Sequence, residues 1–117
     1  MGGPRKPRID IDEVDRAFRE AVNMTARELE RWLVTEQSLS VGFRREGARE
    51  SVGHESGRRI VAILRKSKAE RDPADVQHMR KVVGFVRRHL AQRPGDDIMH
   101  TRWRYSLMNW GHDPMKD

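Results

Sequence analysis

The sequence predicts an all-α fold, a compact bundle of about five helices with a long loop between the second and third. Three observations lead there. Apolar residues recur at three- and four-residue steps in several separate windows. Capping residues stand just ahead of those windows. No stretch alternates apolar and polar residues as a half-buried strand does.

The chain has 117 residues, about one domain's worth. Residues 1–9 read as a flexible basic N-terminal arm, because two prolines, two glycines and three cations do not repay the entropy of ordering. Residues 10–117 form a single helical domain. Asp10 or Asp12 caps a first helix that runs to about Val22, with Val14, Phe18 and Val22 on one face. Acidic residues crowd its first turn, where the helix dipole favours them. Thr25-Ala26-Arg27-Glu28 is a capping box and opens a second helix that fades by about Gln37. Leu29, Trp32 and Leu33 mark its inner face.

Residues 38–53 read as a loop, and the tripeptide Ser-Val-Gly occurs in it at 40–42 and 51–53. Loops of this length in compact domains are usually functional or mobile. A third helix covers about Glu55 to Lys66, with Ile60, Val61, Ile63 and Leu64 inward. Asp72-Pro73 supplies the cap and first residue of a fourth helix that runs to about Arg93. Val76, Met79, Val83, Val86 and Leu90 form its core stripe, widened by Val82 and Phe85. A fifth helix spans about Asp97 to Asn109, where Trp103, Leu107 and Trp110 recur at i, i+4, i+7.

Composition narrows the chemistry. Hydrophobic and charged residues each make up 36% of the chain, and cysteine is absent. A disulfide scaffold, a thiolate zinc site, an iron–sulfur cluster and a cysteine nucleophile are thereby excluded. No apolar run approaches the ~20 residues that span a bilayer. The basic N-terminus leads into Ile9-Asp10-Ile11-Asp12 rather than an apolar signal core, and Lys6 stands where a myristoylation signal has Ser or Thr. A cytoplasmic location without membrane attachment is expected, at the nucleoid if the protein binds DNA.

The 24 basic and 18 acidic residues give a net charge of +6. Residues 1–37 hold 7 basic and 8 acidic side chains, residues 38–93 hold 14 and 6, and residues 94–117 hold 3 and 4. The whole excess therefore lies in the middle, which favours a localised positive surface. Arginine outnumbers lysine 19 to 5; its planar fork suits phosphate, although codon bias in a GC-rich genome gives the same ratio.

The outer face of the fourth helix carries the strongest functional signal. With Val83 at 0°, Arg87, Arg80, Gly84, Arg88 and Lys81 fall at about 40°, 60°, 100°, 140° and 160° on the ideal wheel. Gly84 costs about 1 kcal/mol relative to Ala inside a helix, and close approach of another backbone, from DNA or a neighbouring helix, is the usual reason to keep it. The alternative is an ordinary solvated face. A second candidate is Ser51-Val52-Gly53-His54-Glu55-Ser56-Gly57-Arg58-Arg59, where glycines and paired arginines precede a helix N-terminus that attracts anions. It compares poorly with a helix-hairpin-helix, because its glycines are four apart, and a tight turn with exposed arginines explains it equally well.

The five histidines form no metal-binding spacing; His78 and His89 share a helical face but lie about 16 Å apart along it. No metal and no cofactor is expected. Trp103, Tyr105 and Trp110 interleave with Arg102 and Arg104 as base-stacking residues do, but helical spacing favours a core role for the two tryptophans.

Four stretches carry a resemblance: Met24 to Leu33, Glu50 to Leu64, His78 to Gly84 and Thr101 to Pro114. Together they resemble a small bacterial all-helical family of unknown function, some of whose members are labelled "DNA-binding protein". The resemblance covers nearly the whole chain after the arm. It transfers no catalytic or binding residue.

The sequence therefore leads us to expect a small basic DNA-binding protein that contacts mainly phosphates, with little or no base specificity. Arg80, Lys81, Arg87 and Arg88 form one contact strip and Arg58 and Arg59 another. Arg44, Arg45 and the arm assist, and Gly84 permits close approach. The alternative is a protein-interaction module, or a homo-oligomer that self-associates through the Trp-rich C-terminal helix. An enzyme has only the long loop in its favour.

Overall fold

A computed structural model describes residues 10–95 and 97–116. The expected N-terminal arm lies outside the described residues. The helices are α1 (Ile11–Ala21), α2 (Ala26–Leu33), α3 (Glu36–Ser40), α4 (Val52–Leu64), α5 (Pro73–Leu90) and α6 (Arg102–Asn109). A 3-10 turn, Lys68–Glu70, links α4 to α5, and no strand occurs among the described residues.

The caps explain most boundaries. The Asp10 carboxylate accepts from the Asp12 and Glu13 amides and opens α1. Thr25 and Glu28 close their capping box at α2. Asp72 and Asp75 close another at α5, with Pro73 in its first turn.

Four boundaries differ from expectation. The second predicted helix is two, α2 and α3. Thr35 interrupts it, accepting from the Ser38 amide and donating its hydroxyl to the Trp32 carbonyl at 2.7 Å. A threonine that can cap offers the backbone an alternative to continuing the helix. The third predicted helix starts earlier, because Ser51 caps α4 by accepting from the His54 amide. Gly53 and Gly57 consequently lie inside a helix, and the loop shrinks to residues 41–51. The fourth, α5, ends at Leu90. The fifth, α6, starts only at Arg102, where Thr101 accepts from the Arg104 amide.

Two long-range helix pairs organise the packing: α1 lies on α5, and α2 lies on α4. Helix α6 touches α2, α3, α4 and α5 and joins the pairs. Phe18, Leu29, Ile60, Val82 and Leu107 are sealed from solvent, so every long helix contributes to one core. The core stripe expected on the fourth helix holds: Val76, Met79, Val82, Val83 and Val86 are buried, while Phe85 and Leu90 are half-buried.

Gly53 and Gly57 make the α4–α6 contact possible. A Cβ at Gly53 would meet Trp110 Nε1 at 3.0 Å, and one at Gly57 would meet the Asn109 carbonyl oxygen at 2.6 Å. A buried polar hub sits beside them. Asn109, at 0% exposure, accepts from Trp32 Nε1 at 2.7 Å and from the Ser38 hydroxyl, and donates to the Ser38 carbonyl at 3.0 Å. Helices α2, α3 and α6 are tied through this one side chain.

Candidate nucleic-acid interface

Ion pairing sorts the basic residues of the middle segment into two groups. Arg58, Arg65, Lys66, Lys68 and Arg71 each pair with a carboxylate. Arg44, Arg45, Arg49, Arg59, Arg80, Lys81, Arg87, Arg88 and Arg93 are exposed and have no acidic partner at ion-pair distance among the described residues.

Arg58 is therefore a correction. Its Nε donates to Glu50 Oε2 at 3.1 Å, and its Nη2 pairs with Glu50 Oε1. Arg58 in turn holds the Glu50 carboxyl down to about 2. Glu50 also meets His54 Nδ1 at 2.6 Å, and His54 Nε2 lies 2.7 Å from the Leu33 carbonyl oxygen. Arg58 thus belongs to a network that braces the start of α4. The two adjacent arginines do not form one strip, because successive helical residues point about 100° apart.

Arg59 turns the other way, toward α5. With Arg45 and Lys81 it lines a small cleft of about 120 Å³, floored by Ser56, His78 and Trp110. His78 Nε2 lies 2.8 Å from the Ser56 hydroxyl, and Arg59 Nη1 approaches His78 Nδ1 at 3.5 Å. Burial, with help from Arg59 and Lys81, pushes the His78 imidazole down to about 4. Because guanidinium only donates, the Arg59 contact leaves the ring proton on Nε2, facing Ser56. A serine-activating histidine has the opposite arrangement, with a carboxylate at its outer nitrogen.

The α5 cations divide between two grooves. Arg80, Gly84 and Arg87 line one of about 360 Å³ against Glu13, Val14 and Ala17 of α1. Lys81 and Arg88 line another of about 420 Å³, shared with Phe43, Phe85, His89 and Trp110. Gly84 lies between them. A Cβ there would meet only the far end of Arg88, its Nη1 at 3.1 Å. No neighbouring helix requires this glycine, which removes one of its two expected explanations. Arg44 stands apart, with its Nη2 donating to the Leu39 carbonyl at 3.2 Å.

A feature that sequence reasoning missed runs beside the cations. His78, Trp110, Phe85, His89 and Trp103 form a column of nearly parallel rings. Successive centroids lie 6.1, 4.3, 5.0 and 6.1 Å apart, and the planes differ by 13–17°. Arg93 sits over the Trp103 ring at 5.8 Å. The signal was present as His78, Phe85 and His89 at i, i+7, i+11 on one helix and Trp103 and Trp110 at i, i+7 on another. Only packing shows that the two sets interleave.

These features define a small all-helical domain with a cationic flank on α4, α5 and the 41–51 loop, bordered by an aromatic groove. The chain belongs to the family described as protein of unknown function (DUF3140), whose model matches residues 17–108. No curated protein and no solved structure matches the chain. Among the described residues, no helix is long and apolar enough to cross a membrane, and no group of three or more acidic or histidine side chains is arranged to hold a metal ion.

Proposed function

We propose that the protein binds DNA mainly through its phosphates, with Arg45, Arg59, Arg80, Lys81, Arg87 and Arg88 as the contact set. One observation carries this reading. Of the nine middle-segment cations that lack a carboxylate partner among the described residues, six line the grooves and cleft along α5, while Arg58, Arg65, Lys66, Lys68 and Arg71 are neutralised. Unpaired exposed cations repel one another, so clustering them costs stability that a polyanion recovers on binding. Glu13 and Glu55 also line the clefts, and six cations outweigh these two acids. Gly84 supports the reading, because its missing side chain leaves the α5 backbone open between the two grooves.

Six phosphate contacts give a log–log salt slope of roughly −5. Fluorescence anisotropy of a labelled duplex at several salt concentrations measures it. Replacing Arg80, Lys81, Arg87 and Arg88 together by Gln lowers the slope to about −2, whereas Arg58→Gln leaves it unchanged. Binding that is absent at low salt, or that ignores salt, rejects the proposal.

A further inference from the structure

The groove of about 420 Å³ falls within the ~300–1,000 Å³ typical of small-ligand sites. Its wall is aromatic and its edge is basic. Phe85 and Trp110 are stacked on each other at 4.3 Å and 14°, and His89 and His78 cover their other faces, so they line the recess with ring edges and hold its shape before anything binds. Phe43 stands at the groove with 74% of its surface exposed, which is costly for a large apolar ring in water. Its position is fixed from the backbone. The Val52 amide donates to the Phe43 carbonyl at 2.8 Å. Gly42, at φ 95°, lets the chain pass Ser51 so closely that a Cβ would lie 3.0 Å away. The loop is therefore closed at its neck and presents Phe43 from there.

Charge completes the groove. Lys81 and Arg88 line it, and Lys81 also lines the neighbouring cleft with Arg45 and Arg59. A positive rail thus runs past an aromatic recess, which is the arrangement that binds single strands: cations follow the backbone and rings stack the bases. A base inside a duplex is covered on both faces by its neighbours and does not present a face to such a recess.

We infer that the groove between the 41–51 loop and α5 seats an unpaired base of single-stranded DNA stacked on the exposed Phe43 ring, with the edges of Phe85 and Trp110 behind it, while Arg45, Arg59, Lys81 and Arg88 hold the flanking phosphates. This inference rests on the phosphate-binding reading and adds a preference to it: single strands bind more tightly than duplex.

The test is anisotropy of the full chain with three labelled probes of equal length: an oligothymidylate strand, a duplex, and an abasic strand that keeps the phosphates and lacks the bases. The expected result is that oligothymidylate binds about tenfold or more tightly than either of the others. Phe43→Ala, at an exposed loop position, abolishes that preference and leaves duplex and abasic binding unchanged. Equal binding of the three probes, or a preference that survives Phe43→Ala, overturns the inference and leaves the phosphate reading standing. Failure to bind any probe overturns both.

Discussion

A methyl group added at Gly57 meets the Asn109 carbonyl oxygen and Leu33 Cδ2, each at 2.6 Å. One of those atoms is backbone and does not swing aside. Gly57→Ala therefore gains helix propensity, worth about 0.5–1 kcal/mol, but loses more to overpacking, roughly 1–3 kcal/mol. Urea denaturation should show it less stable than the parent. Gly84 is the opposite case, since a methyl group there meets only the mobile end of Arg88. Gly84→Ala should unfold at higher urea concentration, by up to about 1 kcal/mol, and should bind duplex DNA more weakly, because the added methyl stands between the phosphate backbone and α5. The same residue type in two helices thus has two roles. The sequence contains both glycines, but only the neighbours across the helix interface tell them apart.

Helix α5 was the most legible element. Its Asp-Pro start, its apolar stripe and its cationic outer face all follow from the 3.6-residue period. The wheel does not show that the cations split between a groove on the α1 side and one on the loop side, because the wall opposite α5 comes in each case from another element. Arg58 was misplaced for a similar reason: Glu50 precedes the cap of α4, so no helical spacing joins them. The break between α2 and α3 was missed because Thr35 sits inside a window that otherwise suits a helix. Asn109 then holds the resulting corner together. Asn109→Ala leaves the Trp32 indole N–H and the Ser38 hydroxyl without their buried acceptor. Each such loss costs about 1–3 kcal/mol, so a stability loss of roughly 2–6 kcal/mol should appear on urea denaturation.

At the scale of the whole molecule, the aromatic column carries a pH dependence. His78 is 7% exposed and faces Ser56, Arg59 and Trp110, with Glu55 and Lys81 nearby. Burial holds it neutral down to about 4, against 6.5 for an unperturbed imidazole, and burial lowers His89 as well. Between those two values the unfolded chain binds more protons than the folded one. Stability is therefore fully present above pH 6.5 and declines as the pH falls toward 4. The carboxylates held low by their partners, Glu50 by Arg58 and Asp75 by Lys66, keep their contribution at pH 5 and lose it as the pH falls below 4.5 and 3.8, their unperturbed values. Urea denaturation at pH 7 and pH 5 should differ by on the order of 1–2 kcal/mol, and His78→Gln should remove most of the difference.

The amino-acid sequence by itself determined that the fold is helical, where α1, α2 and α5 begin, most of the helical residues that enter the core, and that the positive charge is concentrated in the middle of the chain. Those properties are local: caps, periodicity and composition act within one or two helical turns. Tertiary structure alone decided which cations are neutralised, that Gly57 fills an interface and Gly84 does not, and that rings from α5 and α6 stack behind Phe43. These depend on neighbours outside the residue's own helical turns, from eight residues away for Arg58 and Glu50 to tens of residues away, and hydrophobic burial, which brings the helices together, has no directional code that can be read along the chain.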